Sequence, residues 1–404
     1  MPPEYRRRVI AGAGPRDTRA SIKPLATLLY VPRVIAMLRV EDPYGRPLTN
    51  IRLVLTDECN YKCIFCHMEG EPLQGPKRPG KGSPLLLAEH YYIISRAAHL
   101  LGVSKFKLTG GEPLLRGDIV EIVESIRDGA PGSEISMTTN GYLLERLAGK
   151  LWGAGLRRVN ISIHSLKPER YEFITGVPGL SKAQRGLRAA VSAGLGVKIN
   201  MVVLRGVNDD EVLSMADFAH SAGAVLQLIE LHPVGLGARF FKRYFYPLKR
   251  VEEELLRLGA SVSYRKDLHN RPVYRLPSGA VIEIVRPFNN PLFCAGCTRI
   301  RIGPYGDISP CINWKGPRPV LSPILKSDLP LEEKIARVGE TLIDVVASRV
   351  PYYLCTLKNC DGQQRPARIR RISLRKRASY EKAKKELRSL LARAATQQSR
   401  VPSA

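Results

Sequence analysis

The chain has 404 residues, 44% of them hydrophobic, enough for one large α/β domain with appended pieces or for two domains. No run approaches the ~18 uninterrupted apolar residues of a membrane span. No apolar stretch near the start ends at a small-residue cleavage site, so the protein reads as cytoplasmic and free of membrane. Lys and Arg number 63 against 37 Asp and Glu, a formal charge of +26 that favours anionic partners. Much of the excess lies in the two ends, so it says little about the centre, although nucleic acid could engage those ends.

In chain order, residues 1–45 form an extension without clear pattern, and Met37, directly before LRVEDPYG, reads as an alternative translation start. From 46 to 235, β-rich runs at 51–56, 105–109, 134–138, 158–163, 197–203 and 225–230 alternate with helical ones. The helices, at 85–101, 119–127, 143–151, 183–193 and 211–222, are closed by glycines such as Gly102, Gly155, Gly194 and Gly223. Six βα units predict an α/β fold, a partial (β/α)6 TIM-like barrel with its site beyond the C-terminal strand ends. Residues 236–372 predict a smaller C-terminal subdomain, with a helix at 251–258 and strands at 261–264, 273–276 and 281–285. Residues 373–404 read as a basic helical tail.

Eight cysteines fall into two triplets and a pair: Cys59, Cys63 and Cys66; Cys294, Cys297 and Cys311; Cys355 and Cys360. Clustering of this kind in a chain without a leader points to metal ligation. The first triplet, C-x3-C-x2-C in TDECNYKCIFCHMEG, follows the first strand. Three thiolates there suit three corners of an iron–sulfur cubane, leaving one iron open to a ligand. A structural zinc site is the alternative, with His67 as fourth ligand. Phe65 suits packing against a planar ligand. After the second strand, LTGGEPLLR offers Gly110 and Gly111 for close backbone approach and Glu112 as a negative group near a cation.

The second triplet is spaced C-x2-C-x13-C. Arg299 and Arg301, two apart on a strand, share one face. The Gly306-Asp307 turn returns the chain and brings Cys311 beside its partners. A guanidinium fork beside an open metal site suits phosphate. A zinc ribbon completed by Cys355 or Cys360 is the alternative.

The first cysteine loop, with its aromatic before the last Cys and a GGE one strand later, resembles the radical S-adenosylmethionine (SAM) superfamily. Both triplets, CTRIR, and the stretches KFKLTGGEPLLR, SMTTNGYLL, RVNISI, YEFITG, VKINMVVLRGVNDDE and LQLIEL resemble the GTP 3′,8-cyclase family from about Leu38 to Cys311. That family opens molybdenum-cofactor biosynthesis. The resemblance implies a lyase with two [4Fe–4S] clusters that cleaves SAM to 5′-deoxyadenosine and methionine and makes (8S)-3′,8-cyclo-7,8-dihydroguanosine 5′-triphosphate. It implies that Cys59, Cys63 and Cys66 hold the catalytic cluster, and that Gly111 and Ser162 contact SAM. Cys294, Cys297 and Cys311 would hold a second cluster whose open iron takes the guanine. GTP contacts fall on Arg52, Lys107, Thr138, Lys198, Arg299, the Ile300 backbone and Arg301. The partners implied are an electron donor and a downstream cyclic pyranopterin monophosphate synthase.

Some positions depart from the family. Lys107 stands where Arg is common, and His164 where Asp is often found. The chain ends RVPSA, where the family usually ends Gly-Gly. Cys355 and Cys360 have no counterpart and read as a structural pair, disulfide-bonded should the source be a hyperthermophile. Two rival readings stand beside this one. One is an RNA- or peptide-modifying radical SAM enzyme with an auxiliary cluster; the other is a zinc-based nucleic-acid-binding module.

Overall fold

The computed structural model describes residues 37–70, 79–288, 290–351 and 367–398, with side chains of the last helix described from 377 to 394. Cys355, Cys360, residues 1–36 and the end of the tail lie outside the described residues.

The alternating pattern folds as expected: β1 (Asn50–Val54), α1 (Ala88–Leu100), β2 (Lys105–Thr109), α2 (Ile119–Gly129), β3 (Glu134–Thr139), α3 (Leu144–Ala154) and β4 (Arg158–Ser162). Then come α4 (Pro168–Thr175), α5 (Leu180–Ser192), β5 (Gly196–Val203), α6 (Val212–Ser221) and β6 (Val225–Glu230). These six strands pair in sequence order and in parallel. A crossover helix after each strand leaves parallel pairing as the short-loop solution.

The later strands extend the same sheet at both edges. After α7 (Leu236–Tyr244) and α8 (Lys249–Arg257), the strands β7 (Ser261–Arg265), β8 (Arg271–Arg275) and β9 (Val281–Val285) form a meander whose β9 joins β6 in parallel. After α9 (Pro291–Ala295), β10 (Arg299–Ile302) crosses to the opposite edge, pairs in parallel with β1, and turns back as β11 (Ile308–Ser309). Eight strands of the eleven-stranded sheet therefore run parallel, and the curled sheet encloses a lumen.

The strand period decides what fills that lumen. Outward residues such as Ile51, Leu53, Phe106, Leu108, Ile199 and Met201 are fully buried beneath the helices. Inward residues are polar: Asn50 and Arg52 on β1, Ser136 and Thr138 on β3, Lys198 and Asn200 on β5. A filled barrel carries branched apolar side chains inside; a polar interior marks a ligand cavity. This inversion places the site.

Beyond β11, α10 (Ser322–Leu325) and α11 (Leu331–Ala347) follow, and α11 packs on α1. The expected basic tail is a helix, Ala367–Gln398, docked on α11 through buried Tyr380, Leu387 and Leu391. Part of its charge is taken up by that docking: Arg388 pairs with Glu333 and Glu340, and Lys384 with Asp344. No helix among the described residues is long and apolar enough to cross a membrane.

Candidate active site

A cavity of about 320 Å³ occupies the lumen; Cys294, Cys297 and Cys311 line it, and Phe65 and His67 bring the loop of the first triplet to it. The first triplet follows the C-terminal end of β1. The second flanks the β10–β11 hairpin: Cys297 lies two residues before β10 and Cys311 two after β11. Because β10 runs parallel to β1, both places fall at the N-terminal ends of the strands. Only the first triplet therefore occupies the C-terminal face expected of a barrel site. The second closes the other end.

At the first mouth the Tyr61 amide donates to Cys59 Sγ and the Met68 amide to Cys66 Sγ, each at 3.4 Å. Burial pushes the Cys59 thiol up to about 11, and raises Cys63 and Cys66 as well. Thiols raised in this way gain from a bound cation to ionise, and the amides are already aimed at two of the sulfurs. Among the described residues no three His, Cys, Asp or Glu side chains close on a single ion.

The GGE loop packs directly onto this cysteine loop. A Cβ on Gly111 would lie 2.0 Å from the Glu58 carbonyl oxygen, so only glycine fits there. Glu112 is buried, and its carboxylate accepts from the Thr139 hydroxyl (2.7 Å) and the amides of Asn140 (2.7 Å) and Leu114 (3.0 Å). Burial pushes its carboxyl up to about 7 despite those donors. Among the described residues no basic side chain pairs with it, so it fits an incoming ammonium group. A second glycine, Gly235 at φ +60°, brings the loop after β6 against Cys66, where Leu236 N–H donates to the Cys66 carbonyl at 2.8 Å.

The second triplet is held from behind by a buried ion cluster. Arg46 donates to the Cys294 carbonyl at 2.8 Å, and Arg349 donates to that of Cys297. Asp42 binds both arginines, at 2.6 Å to Arg46 and 3.3 Å to Arg349. Although burial opposes ionisation of the Cys297 thiol, Arg349, Arg299 and Arg46 bring it below the ordinary thiol value. Asn313 Nδ2 approaches Cys311 Sγ at 3.8 Å. Three cysteines in a positive setting fit an anionic cluster.

Between the mouths, eight Lys and Arg side chains line the lumen. Glu69 holds Arg301 and lies 3.7 Å from Arg52; Glu283 holds Lys198 and Arg271; Glu134 takes Arg158 and Asp267 takes Lys105. Against burial, Arg52, His67 and Arg301 keep the Glu69 carboxyl far below the usual carboxylate range. Arg299 and Lys107 have no carboxylate among the described residues: Arg299 donates to Asn50 Oδ1 at 3.2 Å and Lys107 to Asn160 Oδ1 at 2.7 Å. Burial and the neighbouring cations lower both pKa values strongly. A guanidinium keeps its charge regardless, so this crowding is a standing field for an anion.

The predicted residues are largely gathered. Arg52, Lys107, Thr138, Lys198, Arg299 and Arg301 all line the one cavity, as does Ser162. Ile300 is buried between the two arginines, offering only its backbone. Gly111 sits behind the first cysteine loop, away from the cavity lining. His164 is a buried neutral imidazole, its pKa pushed down to about 3 by burial, with Nδ1 accepting from Val202 N–H at 3.2 Å and Phe65 set edge-on at 4.7 Å. Sequence reasoning missed Asn50, Asn160, Asn200, Gln227, Arg271 and Glu283, which the alternation along each strand would have placed inside, and Glu69, which lies on the turn after Cys66. It also missed Asp42, Arg46 and Arg349, for which no local signal exists.

A polar parallel barrel with such a cysteine loop at its C-terminal face defines a radical SAM enzyme, here with an auxiliary site at the far mouth. Residues 53–219 match the Radical SAM superfamily and residues 224–352 match Molybdenum Cofactor Synthesis C. A probable GTP 3′,8-cyclase of Aeropyrum pernix is 47% identical over 335 residues, covering 83% of this chain and 93% of that protein. One from Thermococcus kodakarensis is 45% identical over 276 residues, 67% of this chain and 87% of its own length. The chain belongs to the GTP 3′,8-cyclase family. Among solved structures, Streptococcus suis SuiB bound to S-adenosylmethionine superposes with a TM-score of 0.54 at 17% identity, over 78% of this chain and 69% of that one, a likeness of fold alone.

Proposed function

We propose that this protein is a lyase that converts GTP to (8S)-3′,8-cyclo-7,8-dihydroguanosine 5′-triphosphate, consuming SAM, as the first step of molybdenum-cofactor biosynthesis. The observation that carries the reading is the single cationic lumen, lined by Cys294, Cys297 and Cys311 and reached by Phe65 and His67 of the first cysteine loop. In this reading Cys59, Cys63 and Cys66 hold one [4Fe–4S] cluster and Cys294, Cys297 and Cys311 the other. When bound, the first cluster with SAM supplies a 5′-deoxyadenosyl radical for the ribose C3′ hydrogen, and the second supplies an open iron for the guanine.

The chain's own part is to bind, orient and exclude water. Glu112 takes the SAM ammonium, with Gly111 and Ser162 beside it. Arg299 and Arg301 hold the nucleotide near the second triplet, and Arg52, Lys107 and Lys198 receive the triphosphate, with Thr138 and the Ile300 backbone completing the contacts. Enclosure of the lumen lowers the local dielectric and strengthens each of those charge contacts. An electron donor and a downstream enzyme that consumes the product complete the scheme, in the cytoplasm. Anaerobic reconstitution followed by incubation with SAM, dithionite and either GTP or RNA tests it. The reading expects 5′-deoxyadenosine to form with GTP; formation with RNA in place of GTP would favour the RNA-modifying reading instead.

A further inference from the structure

We propose that Arg271 is a further substrate-contacting residue, a guanidinium at the start of β8 that takes a phosphate oxygen of the nucleotide beside Lys198. The inference rests on the GTP reading and adds a residue outside every motif that supports it. Arg271 lines the same cavity as Lys198, and its side chain is 11% exposed. Nη1 donates to Glu283 Oε1 at 2.7 Å and to Gln227 Oε1 at 3.1 Å. Its Nε is buried and meets no acceptor among the described residues.

A buried donor without an acceptor is rare in a folded protein and calls for a missing partner. Guanidinium geometry says which kind. The planar fork has more than one bidentate edge, so a protein carboxylate can hold the group through Nη1 while the Nε edge serves an anion. Glu283 does this holding, and it holds Lys198 as well. The trio is two cations on one carboxylate, with side chains 9%, 2% and 11% exposed, so a positive charge remains inside the lumen. Arg271 also acts electrostatically on Arg52 and Arg299. A polyanion is the ligand that relieves repulsion among all of these; a neutral base or sugar would leave it in place. Glu283 is then a positioning residue that fixes the spacing of Lys198 and Arg271.

Equilibrium dialysis of anaerobically reconstituted holoenzyme against GTP, GMP and guanosine separates phosphate contacts from contacts to base and sugar. Arg271→Ala is expected to weaken GTP binding by about 10-fold or more while guanosine binding changes by less than about 2-fold. Arg271→Lys keeps the charge, loses the fork, and should fall between. Iron content and melting temperature are measured on each variant. Unchanged GTP affinity, or equal weakening of GTP and guanosine, would overturn the assignment. Should Arg271→Ala not fold, Arg271→Lys decides by the same comparison. A wild-type protein that binds GTP no better than guanosine would overturn the GTP reading itself. Discrimination undiminished from wild type in both Arg271 variants would overturn only the role of Arg271.

Discussion

Arg349→Met removes a guanidinium whose side chain is 2% exposed and pairs with an Asp42 side chain of 0% exposure. Breaking a buried pair by deleting one partner costs about 3–5 kcal/mol, because the other charge is stranded. Here Asp42 keeps Arg46 at 2.6 Å, so the stranding is partial and the lower end applies. The carbonyls of Pro47 and Cys297 also lose a donor, at about 1 kcal/mol each. A total of about 5 kcal/mol corresponds, at ~2.1 cal/mol/K per residue over a chain of 404 residues, to a fall of roughly 6 °C in melting temperature. Arg349 holds the Cys297 carbonyl and acts electrostatically on the Cys297 and Cys311 sulfurs, so the variant should also lose iron from the second triplet while the first keeps its own. Anaerobic melting and iron analysis read both effects. Wild-type melting with full iron would refute the claim that this ion cluster supports the second site.

The first triplet should be separable from the second: Cys63→Ala should abolish SAM cleavage and leave about four of about eight irons, and undiminished cleavage would contradict its role. Arg299→Ala, at the far mouth, should spare slow uncoupled 5′-deoxyadenosine formation while losing cyclised product; equal loss of both would count against separate substrate and SAM sites. Glu69→Ala leaves Arg52 and Arg301, directly paired in register, without their shared counter-charge, and should destabilise by about 2–4 kcal/mol in chemical denaturation; unchanged stability would show that the arginines do not need it. For Glu283, burial is outweighed by Lys198 and Arg271, which bring the carboxyl down to about 2. Its stabilisation is full above the ordinary carboxylate value near ~4.3 and is lost as pH falls toward about 2. Glu283→Gln should therefore flatten the acid side of the stability profile of cluster-free protein in that window, and an identical profile would refute it.

How far the fold could be read from the chain depends on where its signals are local. The six βα units announce themselves by period and by glycine stops, so β2 and β6 fall where the pattern put them. The parallel placement of β10 against β1 is different: its partner lies 249 residues away, joined by contacts such as Thr49 to Thr298 at 2.9 Å. No local pattern carries that pairing, so although two centres facing one another across one cavity could be expected from the cysteines, the strand that carries the second to the far mouth was not legible. The cysteines and the Arg299–Arg301 pair were legible because their chemistry depends on short spacings. Arg349 was not, since a lone arginine in a helical stretch reads as a solvated charge until the fold buries it. Glu69 lay in plain view after Cys66, but its meaning depends on two arginines brought in from separate strands.

GTP carrying deuterium at ribose C3′ tests the central claim most directly, because it asks whether a nucleotide in the lumen lies within reach of the SAM site. Incubated anaerobically with holoenzyme, SAM and dithionite, it should yield 5′-deoxyadenosine that contains deuterium. Deuterium-free 5′-deoxyadenosine, formed at the same rate with or without GTP, would contradict the account.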